Sequence, residues 1–261
     1  MMRDAIAIRY DRDLEVGRNK PVLLACDVDG KSVEIIAKFS HRCERRTNAL
    51  VAEAISAMLA ADLDLPVPEP FVVRLDPDLE LVMGELMPDW PNQQGLPAYG
   101  STRLPPGYSS LPVGKAIPVA LLSLAAEIFT YDVVIDNSDR LPRNPNCLSD
   151  GKSFAIIDHE LAFPSGILGW RPPWEPNALS YMGTDPSKHL FFDNLRGKTF
   201  DLNRLSGAME AIGDERLMEY IECLPPEWLG VDSEHMRMKQ HIASSRDHII
   251  GIVEQVLAVL S

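Results

Sequence analysis

A polar loop that follows an unusually apolar segment places the tightest constraint on this chain. Residues 118–134 are apolar on nearly every side, which predicts a helix at the centre of a helical layer. The loop behind this helix holds Asp139 and Asn144, five positions apart, and a predicted hairpin then leads to Asp158 at the end of an apolar strand. We therefore expect these three polar side chains to converge on one place that a rigid helix supports.

These three side chains match the requirements of phosphoryl transfer. In that chemistry one carboxylate orients the attacking hydroxyl, while an amide oxygen and a second carboxylate hold the magnesium ions that neutralise the phosphates. The structural alternative is that all three are turn residues, because Asp and Asn bond their own backbone in loops. That alternative explains each residue by itself. It does not explain why a buried helix, the loop, a hairpin and an apolar strand that ends in Asp follow one another in this order.

The same residues carry a resemblance to a known family. The chain resembles the HipA-like kinases, a bacterial branch of the protein-kinase-like fold that also includes the phosphatidylinositol kinases. The resemblance rests on Asp139-Arg140 with Asn144, on Asn144-Pro145-Asn146, and on Ile157-Asp158-His159. Weaker similarities lie at residues 37–39, 65–68 and 225–228. The resemblance implies an ATP- and magnesium-dependent kinase that acts on a serine or threonine of a protein. It also implies that Asp139 is the base or orienting group and that Asn144 and Asp158 bind magnesium.

The expected fold is α+β, bilobal and protein-kinase-like. Residues 1–87 would form a small antiparallel nucleotide-binding lobe of five strands and one helix, because their apolar residues alternate except in the helix-forming stretch 47–61. The last strand of this lobe is predicted at residues 79–85. A Pro-, Gly- and Ser-rich loop, 88–117, would lead to a mostly helical catalytic lobe, 118–261.

The resemblance also assigns residues to ATP. Lys38, on the third predicted strand and directly ahead of the helix, would grip the α- and β-phosphates. Glu53, on that helix, would hold the ammonium group of Lys38 by a charge-assisted hydrogen bond. Ile36 lies on the same face of the strand as Lys38 and would form a roof over the adenine ring. The alternatives are a solvated lysine and a surface glutamate.

Two further nucleotide contacts are expected in the first lobe. The loop between the first two strands has a single glycine, Gly17, whereas a loop that covers phosphates usually has three. An ordinary hairpin loop is therefore the alternative there. Residues 84–87, at the end of the lobe, would be the hinge that bonds adenine through its backbone, with Glu85 and Met87 as the contacts.

The motif departs from the family pattern at two places. Leu141 stands where relatives usually carry histidine, and His159-Glu160 replaces the Phe-Gly of protein kinases. Neither change removes a residue that the minimal chemistry needs, so we expect an active enzyme. Arg140 would belong to the catalytic loop, where it would bind a phosphate or fix the loop. An outward salt bridge is the structural alternative for Arg140.

Composition narrows the choice of partners. The 261 residues carry a formal net charge of -13, which disfavours direct binding to nucleic acid or to an anionic membrane. The four cysteines lack metal-type spacing, so reduced thiols in a cytoplasmic protein are expected. The expected partners are ATP and a protein substrate or an antitoxin-like protein.

Two other functions fit the same residues. A small-molecule or lipid kinase of the same fold would use the same Asp139, Asn144 and Asp158, although an acidic chain without a basic face argues against a lipid. A pseudokinase that serves as a regulatory binding module is favoured by the glycine-poor loop. The presence of Lys38 and Glu53 beside the three motif residues argues against it.

Overall fold

A computed structural model gives the fold of this chain and describes residues 2–14, 19–112, 114–166 and 169–261. The first part of the chain forms a closed five-stranded barrel with strand order β1-β2-β3-β5-β4. The strands are β1 (Arg3–Asp13), β2 (Val22–Val28), β3 (Lys31–Lys38), β4 (Pro70–Leu75) and β5 (Ala98–Thr102). The expected all-antiparallel sheet is wrong in one respect, because β1 pairs with β4 in parallel and so closes the barrel.

Side-chain alternation in β3 turns Lys38 away from the barrel interior. Ile35 and Ala37 are fully buried inside the barrel, while Ile36 and Lys38 lie on the outer face and are half-buried. Helix α1 (Thr47–Asp62) follows β3 and packs against β4 and β5. The predicted third strand and first helix are therefore confirmed, and they place the lysine on the side of the barrel that α1 covers.

The segment predicted as the last strand of the first lobe is a helix. Helix α2 spans Pro77–Leu86, and the side chain of Asp76 caps it by accepting a 3.0 Å hydrogen bond from the N–H of Asp78. Leu79 and Met83, four positions apart, bury one face of this helix against the barrel cluster. The strand prediction for 79–85 is wrong because Asp-Pro-Asp is a helix start here and not a hairpin turn.

The fifth barrel strand lies in the segment that was expected to be a loop. β5 occupies Ala98–Thr102, within residues 88–117, and pairs with both β3 and β4. Gly100 on this strand has no room for a side chain, because a Cβ there would lie 2.5 Å from a methyl carbon of Val73 and 2.6 Å from one of Ile35. This segment is rich in Pro, Gly and Ser and yet contains a strand. Its glycine at position 100 is required because the barrel interior is crowded there.

The rest of the chain is mostly helical. Its elements are β6 (Ser109–Ser110), α3 (Leu122–Val134), β7 (Cys147–Ser149), β8 (Phe154–Ile156), α4 (Ser180–Thr184), α5 (Phe192–Leu195), α6 (Asn203–Glu210), α7 (Asp214–Glu222), α8 (Glu234–Asp247) and α9 (Ile249–Leu260). Helices α8 and α9 are separated at His248, whose ring stacks on Trp174 at 4.3 Å between centroids.

Apolar side chains are buried in two clusters. One fills the barrel and extends to α2 and Trp90. The other is built around α1 and α3 and includes side chains from α5 to α9. The chain is therefore a mixed α+β protein in which α1 lies between the barrel wall and the helices. Within the described ranges, no helix combines the length and the apolar character that crossing a bilayer would require.

Candidate active site

Lys38 lies among three carboxylates. Its ammonium group forms an ion pair with Glu53 of α1, lies 2.5 Å from Oδ1 of Asp158 and lies 3.6 Å from Oε2 of Glu160. The other oxygen of Glu53, whose side chain is only 2% exposed, accepts a 3.0 Å hydrogen bond from the backbone N–H of His159. Glu53 thus links the end of β3, through Lys38, to the segment that follows β8, through the N–H of His159.

The local backbone explains how Asp158 reaches this lysine. The hairpin of β7 and β8 is formed as predicted, and the N–H of Ile157 donates a 3.0 Å hydrogen bond to the carbonyl of Asn146. Asp158 then adopts a left-handed conformation with φ of 61°, which aspartate tolerates better than most residues. This bond and this turn direct the carboxylate toward the barrel.

Burial and mutual charge set the ionisation of the cluster. Burial disfavours the charged form of Lys38, but the nearby carboxylates outweigh it and hold the pKa of Lys38 well above its usual value. Burial opposes the charged form of Asp158 as well, yet the Lys38 ammonium keeps the pKa of Asp158 below its usual range. Burial raises the pKa of Glu53 to about 7, with Lys38 acting in the opposite direction. A persistent positive charge therefore lies between acidic partners.

Asp139 is held in its loop by two amides. The Nδ2 groups of Asn144 and Asn146 donate to Oδ2 of Asp139 at 2.9 and 3.0 Å. Leu141 and Asn144 exchange two backbone hydrogen bonds of 3.0 Å, which narrow the loop. Among the residues that the structure describes, the other oxygen of Asp139 accepts no hydrogen bond. That oxygen is available to an incoming donor, and so is the amide oxygen of Asn144.

Asp139 and Asp158 share an electrostatic environment. Burial raises the pKa of Asp139, the amides of Asn144 and Asn146 lower it, and the charge of Asp158 raises it further. The two carboxylates are therefore close enough to influence one another across the same region. Lys38 thus contacts Glu53 and Asp158, Asn144 is bonded to Asp139, and the charge of Asp158 links the two groups.

Arg140 lies beneath the loop, away from solvent. Its side chain is fully buried and forms an ion pair with Asp132 of α3 through Nε at 2.6 Å and Nη2 at 3.1 Å. Nη1 of Arg140 donates to the carbonyl oxygen of Asn146, and His189 lies 3.0 Å from Oδ2 of Asp132. The sequence left two roles open for Arg140, binding a phosphate and fixing the loop. These contacts are those of a residue that fixes the loop, since a fully buried guanidinium is not exposed to a phosphate.

The structure does not place every predicted residue near Lys38. The N–H of Met87 donates to the carbonyl of Met83 at 2.9 Å in the last turn of α2, and its side chain is buried in the barrel cluster. Glu85 is exposed on the same helix. The carbonyl oxygen of Met87 accepts a 3.0 Å hydrogen bond from the N–H of Trp90, so both backbone groups of this residue are bonded within the chain. The hinge contacts of Glu85 and Met87 with adenine therefore stay a prediction. Ile36 does share the outer face of β3 with Lys38, and Gly17 lies outside the described residues.

Three residues that the sequence did not single out belong to this site. Glu160 contacts Lys38 and also accepts a hydrogen bond from Asn19, at the end of the loop between β1 and β2. Tyr99 of β5 is the register partner of Lys38 and is buried. The acidic residue directly after Asp158-His159 was a usable signal for Glu160. The sequence offers no such signal for Tyr99, because the composition of its segment predicts a loop.

Comparisons with known proteins agree with this geometry. A family model described as HipA-like kinase matches residues 12–255. Among solved structures, the Helicobacter pylori proinflammatory kinase CtkA is similar, with a TM-score of 0.54, 11% sequence identity and 96% of each chain covered. At that identity the similarity establishes a kinase-like fold alone. The search of curated proteins found no match. Because the family model spans nearly the whole chain, including the cluster around Lys38 and the loop of Asp139, the chain belongs to the HipA-like kinase family.

Proposed function

We propose that this protein is an ATP- and magnesium-dependent phosphotransferase that acts on a serine or threonine of a protein. The observation that carries the proposal is the contact of Lys38 with both Glu53 and Asp158, beside the loop that presents Asp139. In this proposal the molecule is bilobal: the barrel is the nucleotide-binding lobe and the helical cluster is the catalytic lobe. The contact between Lys38 and Asp158 would then lie where the two lobes meet.

Lys38 is the proposed ligand for the α- and β-phosphates of ATP. Its ammonium stays charged because acidic neighbours raise its pKa, and Glu53 holds it in place from the side of α1. Ile36, on the same face of β3, would contact the adenine ring. Positively charged donors held in advance are what a triphosphate requires, because no reorientation is needed when the ligand arrives.

The residues at the centre of the site fit magnesium. Oxygen atoms of Glu53, Asp158 and Glu160 all lie within 4.8 Å of one another, and Asn144 offers an amide oxygen nearby in the loop. Such hard oxygen donors are the ligands that magnesium prefers. Asp158 and Asn144 are the proposed ligands, because both oxygens of Glu53 are already engaged by Lys38 and His159. When bound, magnesium would neutralise the charge of the phosphates.

Asp139 is the proposed base or orienting group for the acceptor hydroxyl. Asn144 and Asn146 hold one of its oxygens, which leaves the other to accept the hydrogen bond of an incoming hydroxyl. As the bond between the γ-phosphorus of ATP and its bridging oxygen breaks and ADP leaves, the hydroxyl oxygen bonds to the phosphorus and the hydroxyl proton passes to Asp139. The raised pKa of Asp139 favours this transfer, because a more basic carboxylate holds a proton better.

Thermal unfolding with magnesium and ATP tests nucleotide binding. A ligand at one hundred times its dissociation constant should stabilise the folded protein by about 2.7 kcal/mol. The Lys38→Met variant should lose most of this shift, whereas Lys198→Met, which removes an exposed lysine outside the site, should keep it. An equal shift in Lys38→Met and in the unchanged protein would contradict the assignment of Lys38.

Transfer of label from ATP tests the chemistry. Incubation with labelled ATP should place acid-stable phosphate on serine or threonine, either in the protein itself or in an added protein. Binding of nucleotide without any transfer would indicate a pseudokinase. Transfer to a small alcohol or to a lipid, and to no protein, would indicate the corresponding alternative kinase.

The pH dependence of kcat/KM should report the ionisation of Asp139. Burial raises the pKa of this carboxyl, so the acid limb should have its midpoint above the ordinary aspartate pKa of about 3.9. Activity should be present above that midpoint and lost below it, because the protonated carboxyl cannot accept the hydroxyl proton. The measurement is the pH–rate profile with the folded fraction monitored at each pH. A profile that is flat down to the ordinary aspartate pKa would contradict this role.

A further inference from the structure

A cavity of about 430 Å³ lies beside the loop that presents Asp139. Asp136 and Asn137 of that loop form one side of it, and the segment between Gly169 and Met182 forms the other. Asp136 and Asp139 are three positions apart in sequence, so their backbones are separated by at most about 11 Å. A substrate that presents its hydroxyl to Asp139 can therefore reach this cavity with a neighbouring group.

Asp136 supplies a negative charge that no cation balances among the described residues. Its carboxylate is half-buried, and one oxygen accepts a 2.7 Å hydrogen bond from Nε1 of Trp170, a neutral donor. Asp132 also lines the cavity, but Arg140 neutralises it. Arg171 also lines the cavity, and its guanidinium is paired with Glu175 at 3.3 Å. The uncompensated charge of the cavity is therefore that of Asp136.

Aromatic and apolar side chains surround this carboxylate. Trp170 and Tyr181 both line the cavity while remaining 43% and 48% exposed. Leu179 and Met182 also line the cavity and are largely buried. Aromatic faces attract cations, and apolar walls accept the aliphatic stem of a long basic side chain. A carboxylate placed between such walls favours a group that is apolar along its length and positively charged at its end.

We propose that this cavity binds an arginine or lysine side chain of the protein substrate, with its aliphatic stem against Leu179 and Met182 and its cation beside Asp136. This inference rests on the proposed function and names the recognition element of its substrate. An extended peptide advances about 3.3 Å per residue, so the basic residue should lie within about three positions of the acceptor serine or threonine. The net charge of -13 also favours a basic partner.

Peptide binding to the Asp139→Asn variant tests the inference without turnover. The probe is a set of fluorescent peptides with one serine acceptor and one arginine, placed at each position within about four residues of the serine, and matched peptides with neutral citrulline or norleucine. Fluorescence anisotropy without ATP should show that the best arginine peptide binds about tenfold more tightly than its citrulline counterpart. Adding Asp136→Asn should remove this preference.

Three variants test whether the preference for arginine depends on the cavity or on a general change in charge or folding. Asparagine tolerates the left-handed backbone of residue 136, where φ is 52°, so Asp136→Asn changes charge without straining the loop. Asp193→Asn removes an exposed carboxylate outside the cavity and should leave the preference unchanged. Tyr181→Leu keeps Asp136 but removes an aromatic face, and it should weaken binding of the arginine peptide about threefold.

Several results would overturn the inference. These are equal binding of arginine and norleucine peptides, an arginine preference that survives Asp136→Asn, no binding of any arginine peptide, and phosphorylation of a cationic sugar in place of peptides. The proposed function is tested separately by transfer of label in the unchanged protein. Arginine preference without transfer would contradict the proposed function alone, whereas transfer to peptides without arginine preference would contradict the inference alone.

Discussion

Replacing Asp139 by asparagine is expected to lower the rate of phosphoryl transfer by about 10²- to 10⁴-fold. Asparagine has nearly the same shape and still accepts hydrogen bonds from Asn144 and Asn146, so the loop should keep its conformation. It cannot take up the proton of the acceptor hydroxyl, and this loss falls on kcat. The measurement is transfer of label from ATP at saturating nucleotide, together with the thermal shift caused by magnesium and ATP. That shift should persist.

The control for this variant is Asp150→Asn. Asp150 is a true turn residue in the hairpin between β7 and β8, where its carboxylate accepts 2.8 Å hydrogen bonds from the N–H groups of Lys152 and Ser153. It should be replaceable by asparagine with little effect on transfer, because asparagine supports the same turn. Equal rates in Asp139→Asn and Asp150→Asn would restore the interpretation of Asp139 as a mere turn residue.

The second large effect is expected on stability, from Arg140→Met. This change leaves the carboxylate of Asp132 buried without its cation, which typically destabilises a protein by about 3–5 kcal/mol. Burial opposes the charged form of Asp132, and the pKa of this group is held low chiefly by Arg140, so removal of the guanidinium exposes the full cost of burial. The free energy of unfolding, measured by urea denaturation at neutral pH, should fall accordingly.

The matched comparison is Arg74→Met, which breaks a 2.8 Å ion pair with Glu227 at the surface. Such exposed pairs contribute about 0–1 kcal/mol, so the two arginine variants should differ clearly. Adding Asp132→Leu to Arg140→Met should recover part of the lost stability, because the unpaired charge is removed as well. If Arg140→Met and Arg74→Met are equally mild, the loop does not depend on this buried pair.

Local patterns were sufficient for much of this molecule. The alternation in β3 predicted which face carries Lys38, and the apolar segment at 118–134 predicted the helix before the loop. The sequence also placed Asp139 and Asn144 in one loop, where they are hydrogen-bonded, and it predicted the hairpin that precedes Asp158. These features succeed because a strand period, a helix period and a hairpin each depend on residues that are close in sequence.

Other features could not be obtained in this way. The strand predicted at 79–85 is a helix, because Asp76-Pro77-Asp78 is compatible with a hairpin turn and with a helix cap. The true fifth strand, Ala98–Thr102, has few strand-forming residues and is ordered by pairing with β3 and β4. Consequently the sequence did not indicate that Glu85 lies in a helix, and it did not identify Tyr99 as a neighbour of Lys38.

The sequence by itself determined the family resemblance, the order of helix, loop and hairpin, and the residue types suited to phosphate and magnesium. Only the tertiary structure decided which distant charges meet. Glu53 and Asp158 are 105 positions apart, yet both contact the ammonium of Lys38, and Arg140 turned inward to Asp132. The physical reason is that electrostatic partners are selected by burial and by the packing of whole elements, which no short window of sequence records.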